Sequence, residues 1–354
     1  MKTFQNVKMS LWHRIYRPFW CHFLSGLVLG FVLAFLFTTP LTNNFRLRFQ
    51  RSHENFMPVA NVGSHNQTDF LHAMTDTTIA DSLFHRVRVL CWVLTTPKNH
   101  ESKAKHVKAT WGKRCNKLIF MSTQEDKDLP AVALPVIEDR NNLWGKTKEA
   151  MRYVHQHYYD KADWFFKADD DTYAVMENMR HMLYFQNSTE AIYFGCKFKP
   201  LVRQGYMSGG AGYVLSKEAL RRFVKEALPD RTKCKQDNTG AEDAEMGKCL
   251  EAVGVRAGDS RDPDGRHRFV PLFVLDLLIP GYNGRDFWYW DYLYYPQEEG
   301  MECCSDALIT THYVSPNNMY LLEYLLYHAR PFGVAFNPKL EEGAPPEREF
   351  REKQ

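Results

Sequence analysis

Apolar runs and amphipathic segments alternate along most of the chain. Four short runs, rich in β-branched or aromatic residues, have the pattern of buried strands, and they lie at Val87–Thr95, Lys117–Met121, Trp164–Ala168 and Ala191–Gly195. Apolar residues at helical spacing predict helices at Lys103–Trp111, Lys146–Tyr159, Thr172–Tyr184 and Ser216–Ala227. Strands that alternate with helices usually form a largely parallel sheet. The pattern therefore predicts one α/β domain over residues 86–336.

The N-terminal part of the chain has a different pattern. From Phe19 to Phe37, 19 consecutive residues carry no formal charge, and about 20 helical residues span a bilayer core. Four basic residues and no acidic residue precede this run, which favours a cytoplasmic N-terminus and a type II anchor. A cleaved signal peptide and a buried helix are the alternatives. The segments outside the domain are assigned as a cytoplasmic tail at 1–18, a transmembrane anchor at 19–37, a stem at 38–85 and a disordered tail at 337–354.

The charge of the folded part argues against nucleic acid as a partner. The chain has 45 basic and 42 acidic residues, and four of the basic residues precede the predicted anchor, so the remainder is close to neutral. A general basic field, which is typical of nucleic-acid binders, is therefore absent from the sequence. With 44% hydrophobic residues, the composition also excludes a chain that is disordered as a whole.

The cysteines favour an oxidising compartment. Seven cysteines remain besides Cys21 in the predicted anchor, and they lack the spacing of a zinc site. Local spacing favours the pairs Cys91–Cys115 and Cys234–Cys249, whereas the adjacent Cys303 and Cys304 would bond to each other or to separate partners. Because seven is odd, at least one thiol is free or bonds to another chain.

Two glycosylation sequons agree with a lumenal domain. They begin at Asn66 and Asn187. Each sequon alone is weak evidence, because such short motifs also occur by chance. Together with the anchor and the cysteines, they predict that the domain lies in the lumen of the secretory pathway.

Three adjacent carboxylates follow one of the predicted strands. Asp169, Asp170 and Asp171 come directly after Trp164–Ala168, and adjacent carboxylates repel one another unless a cation neutralises them. Ligands of open α/β sheets bind at the carboxyl ends of the strands. Alternate residues there point the same way, so Asp169 and Asp171 are predicted to converge on Mg²⁺ or Mn²⁺. The plainer alternative is that the carboxylates cap the helix that follows.

Further candidates for a ligand site lie in two later segments. Gly209 and Gly210 would let the backbone approach a ligand closely, or they mark a bend in a strand. Glu242 and Asp243 lie in a predicted helix, where one carboxylate near a nucleotide site would serve as a general base. A solvated, charged helix face is the simpler explanation of this pair.

An aromatic segment and a strand histidine complete the candidates. The aromatic rings of Trp288, Tyr289 and Trp290 would stack on the apolar face of a sugar, or they belong to the core. His312 lies in the apolar run Leu308–Val314, where a structural role is the simpler interpretation.

Several motifs together resemble the fringe-like β1,3-glycosyltransferase family, and in particular its core 1 β1,3-galactosyltransferase branch. The motifs are KAKHVKATW (Lys103–Trp111), ADWFFKADDDTY (Ala162–Tyr173), QGYMSGGAGYVLSKEAL (Gln204–Leu220), AGDSRD (Ala257–Asp262), FWYW (Phe287–Trp290), CCSD (Cys303–Asp306) and HYV (His312–Val314). The resemblance covers about Val87 to Phe336. It implies a GT-A fold, in which a Rossmann-like nucleotide-sugar half is fused to an acceptor half.

The resemblance also implies an activity and a location. The enzyme would transfer galactose from UDP-galactose to O3 of GalNAc on Ser or Thr, with inversion and with the help of Mn²⁺. It would be a single-pass type II protein of the Golgi membrane. A homodimer and a dedicated chaperone are expected partners. The family usually has a basic residue where Cys196 stands here, which makes Cys196 the expected unpaired thiol, with crosslinking of a dimer as one consequence.

The resemblance assigns roles to individual residues. Asp169, Asp171 and His312 would bind the metal, and Asp243 would be the general base. The predicted contacts of the nucleotide sugar are Thr95, Asp169, Gly209 and Gly210, and those of the acceptor are Trp288, Tyr289 and Trp290.

Three other functions compete with this prediction. A fringe-type β1,3-transferase would use a different donor sugar, and a donor assay separates the two. A non-catalytic chaperone relative, or a lectin-like binding protein, would need no metal-bound diphosphate site, and the intact Asp169–Asp171 motif with His312 argues against both.

Overall fold

A computed structural model describes residues 76–331 and Val334. The predicted tail, anchor and most of the predicted stem, the sequon at Asn66 and the predicted disordered tail lie outside these residues. Among the residues that are described, no helix is both long and apolar enough to cross a membrane.

A seven-stranded sheet forms the centre of the domain, in the order β10-β6-β9-β4-β1-β2-β3. Six of its strands run in one direction, and β9 runs against its neighbours β4 and β6. Two small antiparallel sheets are formed by β5 with β11 and by β7 with β8. The strands are β1 Val89–Leu94, β2 Lys117–Ser122, β3 Ala131–Ala133, β4 Trp164–Asp169, β5 Tyr173–Ala174, β6 Ile192–Gly195, β7 Lys197–Phe198, β8 Tyr206–Met207, β9 Tyr213–Ser216, β10 Arg256–Ala257 and β11 Thr310–Thr311. The predicted α/β fold with a largely parallel sheet is thus confirmed.

Helices cover both faces of the sheet. They are α1 Thr78–Arg86, α2 Lys105–Ala109, α3 Leu143–Tyr158, α4 Met176–Tyr184, α5 Lys217–Arg222, α6 Glu242–Ala252, α7 Leu275–Leu278, α8 Trp288–Tyr292 and α9 Pro316–Tyr327. Along β1, Val89, Cys91 and Val93 enter one core, and the alternate residues Leu90, Trp92 and Leu94 enter the other. Both faces of this strand are buried, which explains its unbroken apolar run.

Regular structure is present before the predicted domain boundary at residue 86. Helix α1 lies within the segment that we expected to be stem, and its Leu83 is buried in the core. The guanidinium of Arg86 stacks over the ring of Tyr184 in α4. The polar composition of residues 38–85 concealed this helix, because only one of its side chains is fully buried.

Three disulfides are present among the described residues. Cys91–Cys115 and Cys234–Cys249 confirm the pairs favoured by spacing, and Cys303 is bonded to the adjacent Cys304. Cys196 is free, as predicted, but it is buried, and burial raises the pKa of its thiol to about 12. A crosslink between two chains through Cys196 was therefore a wrong expectation, because the sulfur is neither exposed nor ionised at neutral pH.

Candidate active site

Asp169, Asp171 and His312 meet at the carboxyl end of β4. Asp169 is the last residue of β4, and the pairing of Thr311 in β11 with Tyr173 in β5 brings the next residue, His312, beside the carboxylates. His312 Nε2 lies 3.0 Å from Asp171 Oδ1 and 3.9 Å from Asp169 Oδ2. One ligand atom from each residue falls within 4.8 Å of the others. Two carboxylates and an imidazole suit a divalent ion such as Mn²⁺.

The backbone around His312 fixes the orientation of its ring. Its Nδ1 lies 3.2 Å from the carbonyl oxygen of Pro271. When Nδ1–H donates to this oxygen, Nε2 keeps the lone pair that a metal requires. A Cβ atom at Gly210 would lie 2.6 Å from two atoms of the ring. Gly210 is therefore needed for the close approach of the backbone to this histidine.

The carboxylates of the triplet have different electrostatic surroundings. Without a metal, burial opposes ionisation of Asp171, but the hydrogen bonds and positive charges of the doubly protonated form of His312 and of Lys103 outweigh it, so the pKa of Asp171 lies well below its usual range. Burial raises the pKa of Asp170 to about 6, although Lys103 and two hydrogen bonds oppose this effect. Asp171 is thus an anion at neutral pH and is ready to bind a cation.

Asp170 has a supporting role in the structure. Its Oδ2 accepts hydrogen bonds from the hydroxyl of Thr95, at 2.8 Å, and from the amide of Asn99, at 2.9 Å. Thr95 follows the last residue of β1, so these bonds tie the carboxylate turn to the neighbouring strand. The structure therefore places Thr95 beside the carboxylate turn, with its hydroxyl directed to a protein carboxylate.

Glu242 and Asp243 begin helix α6 beside the glycine segment. The backbone N–H of Gly209 donates to Asp243 Oδ2 at 3.0 Å. Glu242 Oε1 accepts hydrogen bonds from Thr147 and Tyr213 and is buried. Burial raises the pKa of both carboxyl groups. Asp243 is partly exposed, so it is the more accessible of the two carboxylates.

The predicted acceptor aromatics are separated by burial. Trp288 is 43% exposed and Trp290 is half-buried. Tyr289 is fully buried, and its hydroxyl donates to Gln297. The expectation that all three rings face the acceptor was therefore wrong for Tyr289, because α8 turns this ring into the core beneath the other two.

Three residues near the site were missed by the sequence analysis. Lys167 lies within β4, and its ammonium is 2.7 Å from Asp169 Oδ1. Lys103 is 2.9 Å from Asp171 Oδ2. Tyr313 is exposed, adopts a positive φ of 54° and packs against the ring of His312. All three residues lie within recognised motifs, which was an available signal, but a lysine inside an apolar strand does not by itself reveal its partners.

Comparisons with known proteins identify the family. A sequence model described as Fringe-like matches residues 85–261. Glycoprotein-N-acetylgalactosamine 3-beta-galactosyltransferase 1 of Xenopus laevis is 43% identical over 330 residues, which cover 92% of this chain and 90% of that protein.

The chain belongs to the Fringe-like family of glycosyltransferases.

More distant relatives match a part of this Fringe-like chain. Chondroitin sulfate synthase 3 of Homo sapiens is 30% identical over 46% of this chain and 20% of its own length. Beta-1,3-glucosyltransferase of Mus musculus is 28% identical over 46% of this chain and 33% of its own length. A solved glycosyltransferase involved in glycosylation of the PBCV-1 major capsid has 14% identity and a TM-score of 0.27, covering 38% of this chain and 62% of that chain. The predicted family membership is confirmed, and the Fringe-like match at residues 85–261 includes the strand that ends in Asp169.

Proposed function

We propose that this Fringe-like protein transfers galactose from UDP-galactose to O3 of GalNAc-α-Ser or GalNAc-α-Thr, with inversion. The observation that carries the proposal is the 43% identity over 90% of a glycoprotein-N-acetylgalactosamine 3-beta-galactosyltransferase. Chondroitin sulfate synthase 3 and the beta-1,3-glucosyltransferase are less similar and match less than half of this chain. The protein would act as a single-pass type II enzyme of the Golgi membrane, and a homodimer and a dedicated chaperone remain predictions.

The donor half would hold the nucleotide sugar at the carboxyl end of β4, in a GT-A arrangement. Asp169, Asp171 and His312 would bind Mn²⁺, and their charge, donor atoms and mutual distances fit this ion. When bound, Mn²⁺ supplies positive charge that stabilises the diphosphate of the departing UDP. Thr95 and Gly209 would contact the same donor from the neighbouring segments.

Asp243 would remove the proton from the acceptor hydroxyl. An inverting transfer needs a single base on the acceptor side, because the hydroxyl attacks the anomeric carbon directly. The N–H of Gly209 fixes Asp243 Oδ2, and an ionised carboxylate has about four lone-pair directions. The hydrogen bonds to this carboxylate therefore leave room for the O3–H group.

The exposed aromatic rings would bind the acceptor sugar. Trp288 stands against Phe198 and Tyr292 in edge-to-face contacts, which hold its ring in place. A fixed, partly exposed indole offers an apolar face for stacking on a pyranose. Trp290 would provide a second aromatic ring for contact with the acceptor sugar.

A transfer assay tests the proposed function. The full-length protein in detergent is incubated with GalNAc-Ser peptide, Mn²⁺ and one of four donors: UDP-galactose, UDP-glucose, UDP-GlcNAc or UDP-GalNAc. We expect transfer from UDP-galactose, a product that β1,3-specific galactosidase cleaves, and loss of transfer in EDTA. Preference for another donor would indicate a different transferase, and binding of peptide without transfer from any donor would indicate a non-catalytic protein.

The substitution Asp171→Asn tests the metal assignment. It removes an anionic oxygen that lies 3.0 Å from His312 Nε2, and we expect the Mn²⁺-dependent transfer to be abolished. Circular dichroism provides the control for folding. Transfer at a rate near that of the wild type by a folded Asp171→Asn protein would refute the assignment.

A further inference from the structure

A buried lysine lies beside the carboxylate cluster. Only 2% of the Lys167 side chain is exposed. Its Nζ donates to Asp169 Oδ1 at 2.7 Å and to the carbonyl oxygen of Gly209 at 2.9 Å. A buried ammonium requires compensation by hydrogen bonds and opposite charge. These two partners come from different segments, so one side chain ties β4 to the glycine segment.

Gly209 is shared between this lysine and the proposed base. Its carbonyl oxygen accepts from Lys167, and its N–H donates to Asp243 Oδ2 at 3.0 Å. A continuous series of hydrogen bonds therefore runs from Asp169 through Lys167 and Gly209 to Asp243. Its first member is a predicted metal ligand, and its last is the predicted general base.

The Lys167 ammonium also reduces the repulsion between the carboxylates that surround it. Asp169, Glu242 and Asp243 all act on Lys167 electrostatically. Without a cation between them, these carboxylates would repel one another in a poorly solvated region. A Cβ atom at Gly209 would lie 3.0 Å from Glu242 Oε2. The glycine segment and α6 are therefore packed closely, and the carboxylates have little space to move apart.

We propose that Lys167 is a positioning residue that holds the metal site and the general base at the separation required for transfer. The inference rests on the proposed function, because it takes Asp169 as a metal ligand and Asp243 as the base. Lys167 orients Asp169 by occupying Oδ1, and it orients Asp243 through the peptide group of Gly209. It contacts neither the donor nor the acceptor.

The substitution Lys167→Met tests this role. Methionine has a similar length and packs in the same space, but it makes neither hydrogen bond. Loss of a residue that orients a metal ligand typically lowers metal affinity about 10- to 100-fold. We expect a loss of this size in Mn²⁺ affinity, measured by electron paramagnetic resonance of free Mn²⁺, and a reduced kcat when Mn²⁺ is saturating. A purely structural role would change neither quantity in the folded protein.

Lys148→Met is the matched control. Lys148 is also a buried lysine, and its Nζ donates to the backbone carbonyls of Gln236 and Asp237. Its removal should lower thermal stability but leave Mn²⁺ affinity unchanged. A folded Lys167→Met protein with the Mn²⁺ affinity and the kcat of the wild type would overturn the proposal.

A second variant covers the case in which Lys167→Met does not fold. In Lys167→Gln, the neutral side-chain amide can donate to Asp169 or to the carbonyl oxygen of Gly209, but not to both. We therefore expect smaller losses of Mn²⁺ affinity and kcat than in Lys167→Met. If neither variant folds, Lys167 is a stability residue and the proposal fails. Absence of Mn²⁺ binding or transfer in the wild type would instead refute the proposed function, so the two failures can be distinguished.

Discussion

Glu242 and Asp243 are adjacent residues, but their carboxylates have different surroundings. Glu242 Oε1 is engaged by the hydroxyls of Thr147 and Tyr213, which joins α6 to α3 and β9. Asp243 is held by backbone N–H groups, and the residue as a whole is partly exposed. At the scale of single residues, this difference favours Asp243 as the base and Glu242 as a support.

We expect Asp243→Asn to reduce kcat strongly while UDP and Mn²⁺ bind nearly as in the wild type. Loss of a general base typically costs about 10²- to 10⁴-fold in rate, because a sugar hydroxyl is barely ionised at neutral pH. Titration with UDP and a transfer assay measure the two effects separately. Glu242→Gln is the comparison, and a large kcat loss there with a normal Asp243→Asn enzyme would show that the other carboxylate is the base.

The buried carboxyl group of Asp170 predicts a dependence of stability on pH in the metal-free protein. Burial raises its pKa from 3.8 to about 6, so the folded state binds more protons than the unfolded state between these values. Its contribution to stability is therefore favourable at low pH and is lost as the pH rises through about 6, by about 3 kcal/mol at 1.36 kcal/mol for each pKa unit.

Urea unfolding of the wild type and of Asp170→Asn in EDTA measures this contribution. We expect the free energy of unfolding of the wild type, relative to that of the variant, to decrease between pH 4 and pH 7. Parallel pH profiles for the two proteins would contradict the prediction.

The position of Asp169 and Asp171 at the edge of the sheet was predictable from the sequence, whereas the side chains that support the proposed metal site were not. Asp169 and Asp171 follow a strong strand pattern, so their place at the sheet edge follows from local sequence. His312 came from the family resemblance, since a histidine in a strand carries little information by itself. The role of Lys167 could not be predicted, because its partners Asp169 and Gly209 meet only after β9 has paired with β4.

At the scale of elements, the main strands followed from their apolar runs, but the small strands did not. We expected one helix over Thr172–Tyr184, whereas α4 begins at Met176. Tyr173 and Ala174 form β5 instead and pair with Thr310 and Thr311. A two-residue strand has no periodicity of its own, and its partner lies far away in the sequence. The position of His312 depends on this undetected pairing.

The Cys234–Cys249 disulfide supports the helix that carries the proposed base. It closes a loop of 15 residues and anchors the segment before α6 to the helix itself. The double substitution Cys234→Ala and Cys249→Ala should lower the free energy of unfolding by about 3 kcal/mol. Because Asp243 lies within this loop, we also expect a lower kcat with an unchanged affinity for Mn²⁺.

Chemical denaturation, Mn²⁺ titration and transfer assays test this prediction on one protein sample. The corresponding change at the Cys91–Cys115 pair, which joins β1 to the segment before β2, is the control for a general loss of stability. A larger loss of Mn²⁺ affinity than of kcat in the Cys234 and Cys249 variant would contradict the assignment of this disulfide as a support for Asp243.

At the scale of the whole molecule, α1 is the first helix among the residues that the structure describes. A shortened protein that begins at residue 76 retains α1, so we expect it to fold and to be active on soluble GalNAc peptides. A protein that begins at residue 88 loses the buried side chains of Leu83 and Val87. Each buried aliphatic side chain contributes about 1.5–3 kcal/mol, so this second protein should be less stable by about 3 kcal/mol or more.

Thermal unfolding of the two shortened proteins provides the measurement. Equal melting temperatures would show that α1 adds nothing to the domain. An inactive protein from residue 76, with an active full-length chain, would show that the preceding residues have a role beyond anchoring.

The pairing of β5 with β11 also determines when during biosynthesis the protein becomes active. In a growing chain, Asp169 and Asp171 are synthesised long before the ribosome adds His312. Since the imidazole arrives only with β11, an incomplete chain cannot assemble all three metal ligands, whatever its other parts have folded into. If the proposed function is correct, incomplete chains do not consume UDP-galactose. A protein truncated before residue 310 would then have no transfer activity, rather than a low one.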